Sequence, residues 1–426
     1  MTCRGLLWGC AWMGLALGVS LTGCAGEEWS LPEGGDTQSG ETGPDAAGEG
    51  GAEPDLDPGS PVFSGACEED AECGEGRVCA PASNGISGVC LVSPPEESGV
   101  TNPFEEEKSE IAIDLSCVDA AVSANSTEVG TIAGIVDRFG SGPVTVGIEV
   151  RVYRASEFPA DACDGLEPGL VDACVTGIVE ESDAIVASTV SSAPPELACD
   201  NIPCESDAEC PLGHACAGPN GEMECQLNFG LYSLDGIPLD TPLVVVTRGG
   251  EGTSGWHRTV SWDVRIASGS SVDGVHRHDP LIVAHGQWVT VPNPFGVSIG
   301  LGNGAVGGRI RQCDDGEGHA GWYLHEATVG FANPPAKLGY FNDSEADTLP
   351  DPNRVSTNLF GRYTGLDITP GPNHLVGAVR GPDGVSFLGS RAFHVYPDTL
   401  SIVSLPGSVA VVTQPGVGCP EEGGAP

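Results

Sequence analysis

The chain has 426 residues, with 60 acidic against 17 basic side chains and a formal charge of −43. Charge of that sign excludes nucleic acid and an anionic membrane surface as partners, and its plainest effect is a soluble, self-repelling exterior. With 63 glycines, 34 prolines and few helix-favouring runs, turn residues interleaved with Val, Ile and Thr predict an all-β protein of two or three domains.

The amino terminus places one basic residue, Arg4, before an apolar stretch from about Leu6 to Ser20, then Leu21-Thr22-Gly23-Cys24. The stretch is too short for a stable membrane span. The layout resembles a bacterial lipoprotein signal, in which cysteine directly follows the cleavage point. The resemblance implies that residues 1–23 are a signal peptide and that Cys24 becomes the lipidated first residue. At roughly 0.8 kcal/mol per buried methylene, several acyl chains form an effectively permanent anchor. It further implies a cell-envelope location, with the outer membrane favoured because Ala25 is not the aspartate that commonly signals inner-membrane retention. Residues 24–62 are acidic, lack Lys and Arg, and are rich in Gly, Pro and Ser, so a disordered tether spanning roughly 35 Å is expected.

Seventeen cysteines fit an oxidising compartment. Cys3 and Cys10 leave with the signal and Cys24 takes the lipid, which leaves an even set for disulfides: Cys67, Cys73, Cys79, Cys90, Cys117, Cys163, Cys174, Cys199, Cys204, Cys210, Cys216, Cys225, Cys313 and Cys419. Residues 63–92 hold Cys67, Cys73, Cys79 and Cys90. Its two gaps of five residues recur within 199–226 at Cys204, Cys210 and Cys216, a copy that closes at Cys225, with Asp-Ala-Glu-Cys in both copies. The repeat resembles dickkopf/EGF-like small cysteine-rich units. Gaps of five residues fit structural zinc poorly, and such small units need disulfides in place of an apolar core. Four cysteines allow three pairings, and the spacing selects none. Cys163 and Cys174 are candidates to pair across a loop.

Residues 93–112 are expected to be an acidic, proline-bearing linker. Beyond it come predicted strands at Thr131–Val136, Val144–Tyr153, Ala184–Val190, Pro242–Thr247, Thr259–Ile266, Leu281–Val283, Trp288–Val291, Gly307–Ile310, Leu375–Val379 and Leu400–Leu405. Two stretches resemble the carboxypeptidase regulatory-like family of transthyretin-type sandwiches. One carries Gly308-Arg-Ile, Ala327-Thr-Val-Gly-Phe331, Ser356 through Gly371, and Leu375-Val-Gly-Ala-Val379. In it Gly361 suits a tight turn, Tyr363 and Leu366 an inward face, and Pro370-Gly371 a second turn. The other is split: Thr131–Ile135 and Val144–Val150 open it, and Gly230–Thr241 resumes it after the second cysteine repeat. The resemblance implies two transthyretin/Ig-like antiparallel β-sandwiches, at 113–302 and 303–408, with the repeat at 199–226 inserted in the first and a tail at 409–426. Residues 256–300 fit it poorly and are expected to add edge strands or form a small sheet.

No His-x-x-Glu or His-Glu-x-x-His string occurs, which argues against a zinc peptidase. Gly296-Val-Ser298-Ile-Gly300 and Gly302-Asn-Gly304-Ala-Val-Gly307 match catalytic and dinucleotide-binding strings only formally, since strand and loop, not helix, follow. His276, His278 and His285, with Asp279, are candidate metal ligands on alternating strand positions. Asp343 and Asp347 sit in an acidic run that is a candidate calcium loop, although it lacks an EF-hand's glycine and terminal glutamate. No catalytic residue and no cofactor is assigned. The expected function is a non-catalytic, lipid-anchored binding, adhesion or spacer module that meets a protein or glycan. The alternative is an exported hydrolase or metal-dependent enzyme using His276, His278 and His285.

Overall fold

A computed structural model describes residues 66–409, except 82–86, 103–106, 119–126, 141, 194–202, 205–209, 211–213, 218–222, 250–254, 314–321, 345–348 and 407. Cys24, expected to carry the lipid, residues 24–62, expected to form the tether, Cys199, Asp347 and Cys419 lie outside the described residues.

The fold is all-β. One long sheet runs, in spatial order, through Pro350–Asp351, Lys337–Phe341, Arg362–Ile368, Gly304–Arg309, Thr399–Ile402, Trp256–Arg265, Leu243–Gly249, Ile148–Arg154 and Ile185–Val190. Its centre is the Thr399–Ile402 strand, which pairs in parallel with Trp256–Arg265 on one side and with Gly304–Arg309 on the other. This late strand of the chain therefore joins the two halves edge to edge. Residues 256–265, expected to add an edge strand or to belong to a small separate sheet, lie in the interior of this sheet.

Each half receives a second layer. Over the first half lies a four-stranded sheet built on Val129–Ile135 and Leu231–Pro238. Ile132, Leu234 and Ile237 from it meet Ile148, Val150, Leu243 and Val245 from the long sheet. Val244 and Val246, one residue out of phase, enter a separate core with Tyr153 and Val260. That two-sided burial explains why Leu243-Val-Val-Val246 is a continuous apolar run instead of an alternating one. Over the second half lies a three-stranded sheet of Thr328–Phe331, Gly371–Gly381 and Gly384–Val395, whose Phe331, Leu375 and Leu388 pack against Val306 and Tyr363. Gly361 takes a φ of +63° at the turn before Arg362–Ile368, and Tyr363 and Leu366 are buried.

Both cysteine repeats adopt one connectivity, first to third and second to fourth: Cys67–Cys79 with Cys73–Cys90, and Cys204–Cys216 with Cys210–Cys225. The first repeat is docked on the second sandwich. Ala80, Val89 and Leu91 cover Val376 and Ala378 on the outer face of the three-stranded sheet. Residues 93–112, expected as a linker, instead carry strands Gly99–Asn102 and Glu107–Ser109, and the first of these pairs with Tyr323–His325. Cys117–Cys313, 196 residues apart in sequence, fastens the chain just beyond that segment. Trp288–Val291, expected as a strand, belongs to a short helix, His285–Thr290, and its boundary, with Trp288 and Val291 on one buried face. A four-residue apolar run satisfies either period, and here the i, i+3 spacing prevails. Among the described residues no helix is long and apolar enough to cross a membrane.

Candidate functional site

The histidines singled out in the sequence do not converge. His276 lies buried in the Val275–Arg277 strand, with its Nδ1 3.1 Å from the Ser270 hydroxyl. His278 is held by its backbone, its carbonyl accepting from the Tyr232 hydroxyl at 2.6 Å, and burial of the ring pushes its pKa down to about 4. Asp279 is occupied by the Ile135 amide and by Arg277. His285 opens the short helix and meets a residue the sequence did not single out. Its Nδ1 lies 2.9 Å from Nε2 of His257, which stacks on Trp288. Among the described residues, the only trios of ligand atoms close enough for a metal belong to Cys67, Cys73 and Cys79 and to Cys204, Cys210 and Cys216. All six of those sulfurs are in disulfides. In the acidic run, Asp343 is engaged by Arg354 at 2.9 Å and by the Leu359 amide at 2.8 Å.

A concavity is built around an insert between the strands Ile148–Arg154 and Ile185–Val190. Pro168 starts a helix at its first position, and Pro168–Cys174 continues into a wider-wound turn, Val175–Val179. Val171, Cys174, Val175 and Val179 are buried against the long sheet, while Leu170 and Ile178 face out. The Glu180 amide closes the wide turn on the Val175 carbonyl. The Glu180 carboxylate, 1% exposed, then receives Arg258 and Arg248 at 2.5 Å each. Its carbonyl accepts from Arg151 and from the Tyr153 hydroxyl. Glu149 continues the chain of charges to Arg248 and Arg151. Burial disfavours charge on Glu149, yet the two arginines outweigh it and hold the carboxyl below the usual range. This network clamps the insert to the sheet.

Between the clamped insert and the second half lies a groove of about 300 Å³. One wall is Cys163, Asp164, Leu166 and Val171, and the Cys163–Cys174 disulfide closes that loop. The facing wall is the turn Leu301–Asn303 with Thr369 and Pro370, and His394 to Pro397 form the floor. Asp367, in the left-handed region at φ +58°, sets the turn by accepting the Gly300 amide and the Asn303 side-chain amide at 2.7 Å each. Leu301 stands at the tip of this turn, 94% exposed. On the floor, His394 Nε2 lies 2.9 Å from Asp164 Oδ1, and the Tyr396 hydroxyl donates to the Ala160 carbonyl. Burial holds the His394 pKa below the ordinary value, against the pull of Asp164 and Asp161. Burial pushes the Tyr396 hydroxyl far upward.

Sequence reasoning missed the groove entirely. Its residues come from near 164, 302, 370 and 395, and no local spacing links them. The formal strings at Ser298 and Gly302 fall in a loop and in the Gly304–Arg309 strand, with no helix after either.

No family model matches the chain, and no curated protein matches it. Solved structures give distant likenesses to Gram-positive pilins. Two variants of the shaft pilin SpaA from Lactobacillus rhamnosus GG are 8% identical, cover 66% of this chain and 99% of their own, and have TM-scores of 0.17. The minor pilin GBS52 of Streptococcus agalactiae is 11% identical, with coverages of 67% and 98% and a TM-score of 0.16. Likeness at that level carries no argument about this chain.

Proposed function

We infer that the protein is a non-catalytic, lipid-anchored module of the bacterial cell envelope that binds a partner through the groove beneath Leu301. The observation that carries this reading is the groove itself: aliphatic and proline walls, a fixed floor and an almost fully exposed leucine at the rim. Exposed apolar surface beside a concavity is the usual mark of a recognition site. The remaining elements fit a presenting role. Cys24 is the anchor, residues 24–62 the spacer, the cysteine repeats dickkopf/EGF-like knots, and the two layered halves carboxypeptidase regulatory-like sandwiches. The outer membrane is the proposed site of the lipid.

Fractionation and protease shaving of intact cells test the proposal. Wild type is expected in the outer-membrane fraction and the Cys24→Ala chain in the soluble fraction. A Cys24→Ala chain that still partitions into membranes overturns the anchor. Full protection of the wild type from external protease restricts its partner to the periplasm.

A further inference from the structure

The chemistry around the groove narrows what it binds. The side chains lining it that can carry charge near neutral pH are Asp164 and His394, and no Lys or Arg is among its lining residues. Asp161 lies near enough to act on both His394 and Tyr396. Asp367 braces the far rim behind Asn303. Asp164 keeps 38% of its side chain exposed, so one face of its carboxylate remains open to a second partner. Flanking it are Leu166, 41% exposed, and Leu301, 94% exposed. A carboxylate in the groove wall beside two exposed aliphatic side chains matches a long cationic side chain, which lays its methylenes on apolar surface and its charge on the acid. A neutral apolar ligand offers nothing to the part of the Asp164 carboxylate that His394 leaves exposed, and an anionic one meets Asp164 and Asp161 directly.

We propose that this groove receives a lysine or arginine side chain from an extracytoplasmic polypeptide. The aliphatic stem lies between Leu166 and Leu301 and the cationic head rests on Asp164. This rests on the reading of the groove as the binding site and adds the class of its occupant. The rest of the molecule favours the same sign, since 60 acids against 17 bases attract cationic segments over a distance before the groove selects among them.

The test uses the soluble folded chain beginning after Cys24 and three fluorescein-labelled peptides, acetyl-Gly-Leu-Arg-Leu-Gly-amide and its norleucine and glutamate counterparts, by anisotropy at 150 mM salt. The arginine peptide is expected to bind at least 10-fold more tightly than the norleucine peptide and the glutamate peptide not at all. Asp164→Asn should weaken the arginine peptide about 10-fold, while Asp383→Asn, which removes the same charge from an exposed turn, leaves it unchanged. Circular dichroism and melting temperature confirm that each variant is folded. Equal weakening by Asp383→Asn means bulk charge attraction and overturns the proposal. If arginine and norleucine peptides bind alike and Leu301→Asp abolishes both, the groove is the site but its occupant is apolar, and the cation assignment falls alone. If no peptide binds, or Leu301→Asp changes nothing, both readings fall. Sedimentation without peptide supplies a last arm: a dimer that Leu301→Asp dissolves makes the occupant a second copy and overturns the proposal.

Discussion

Glu180→Ala is expected to be among the most damaging single changes outside the hydrophobic core. The Glu180 carboxylate is 1% exposed and is shared by Arg258, 10% exposed, and Arg248, 27% exposed. Removing one partner of a buried ion pair leaves a desolvated charge and costs about 3–5 kcal/mol. The lower end applies here, because Arg258 keeps Asp172 and Thr176 and Arg248 keeps Glu149. The backbone bonds from Arg151 and Tyr153 survive as well. A loss of about 3 kcal/mol lowers the melting temperature of a body this size by roughly 4 °C. Trp262 reports the event, since it packs edge-on against Phe158 of the insert at 5.6 Å. Urea unfolding without reductant, followed by tryptophan fluorescence, measures the change. A loss below about 1 kcal/mol in both Glu180→Ala and Glu180→Gln would refute the claim that this network holds the insert.

Gly308→Ala should fail to fold or lose about 3 kcal/mol, because a Cβ there would lie 1.8 Å from the Val403 carbonyl oxygen; a wild-type urea midpoint would count against the sheet geometry. Removing Cys117–Cys313 as a double serine variant releases a loop of 196 residues, with a loop-entropy ceiling of about 5 kcal/mol measured by denaturation against the oxidised parent. Stability should fall on acidification below about pH 6.5. His278 and His325, lowered by burial to about 4, each leave the unfolded chain holding one more proton between those limits, while Asp137, raised by burial to about 6, holds one more in the folded chain. The balance near pH 5 is one proton towards the unfolded state, or about 1.4 kcal/mol per pH unit, and a flat pH profile of the urea midpoint from 6.5 to 4.5 would contradict it.

Local pattern carried the strands far and the site hardly at all. Val144-Thr-Val and Ile148-Glu-Val-Arg-Val alternate or branch at Cβ, and the strand Ile148–Arg154 follows from that period with only its start misjudged. Trp288–Val291 shows the limit, since so short a run fits strand or helix equally. The cysteine repeats were legible as repeats, because identical spacing needs no structure to see. Their pairing was not, since three connectivities share one spacing. The helix Pro168–Cys174 lay hidden because its apolar positions, Val171, Cys174 and Val175, sit in a glycine- and acid-rich loop too short to show a period. His285 drew notice as one of a sequence trio, whereas its actual neighbour, His257, is brought near by the pairing of Trp256–Arg265 with Leu281–Ala284. Contacts of that kind are set by sheet register, which no single segment encodes.

The same register determines what the groove can be. Its insert wall is clamped to the first half, its Leu301 wall belongs to the turn before Gly304–Arg309, and its floor runs directly into Thr399–Ile402. Alternation along that strand gives it two tasks. On one face Leu400 and Ile402 pack with Val283, Trp288 and Ala305. On the other, the Thr399 hydroxyl donates to the Pro397 carbonyl and the Ser401 hydroxyl to the His394 carbonyl, so the strand's hydroxyls hold the backbone of the groove floor. A slip of one residue would turn both leucine and isoleucine towards the floor and both hydroxyls into the apolar cluster, so the strand has a single acceptable register. Because it is paired on both sides, neither half of the long sheet moves without breaking a parallel ladder. The groove is therefore preformed. A partner that enters it loses little to rearrangement of the backbone, and selectivity rests on fit to Leu166, Leu301 and Asp164 as they stand.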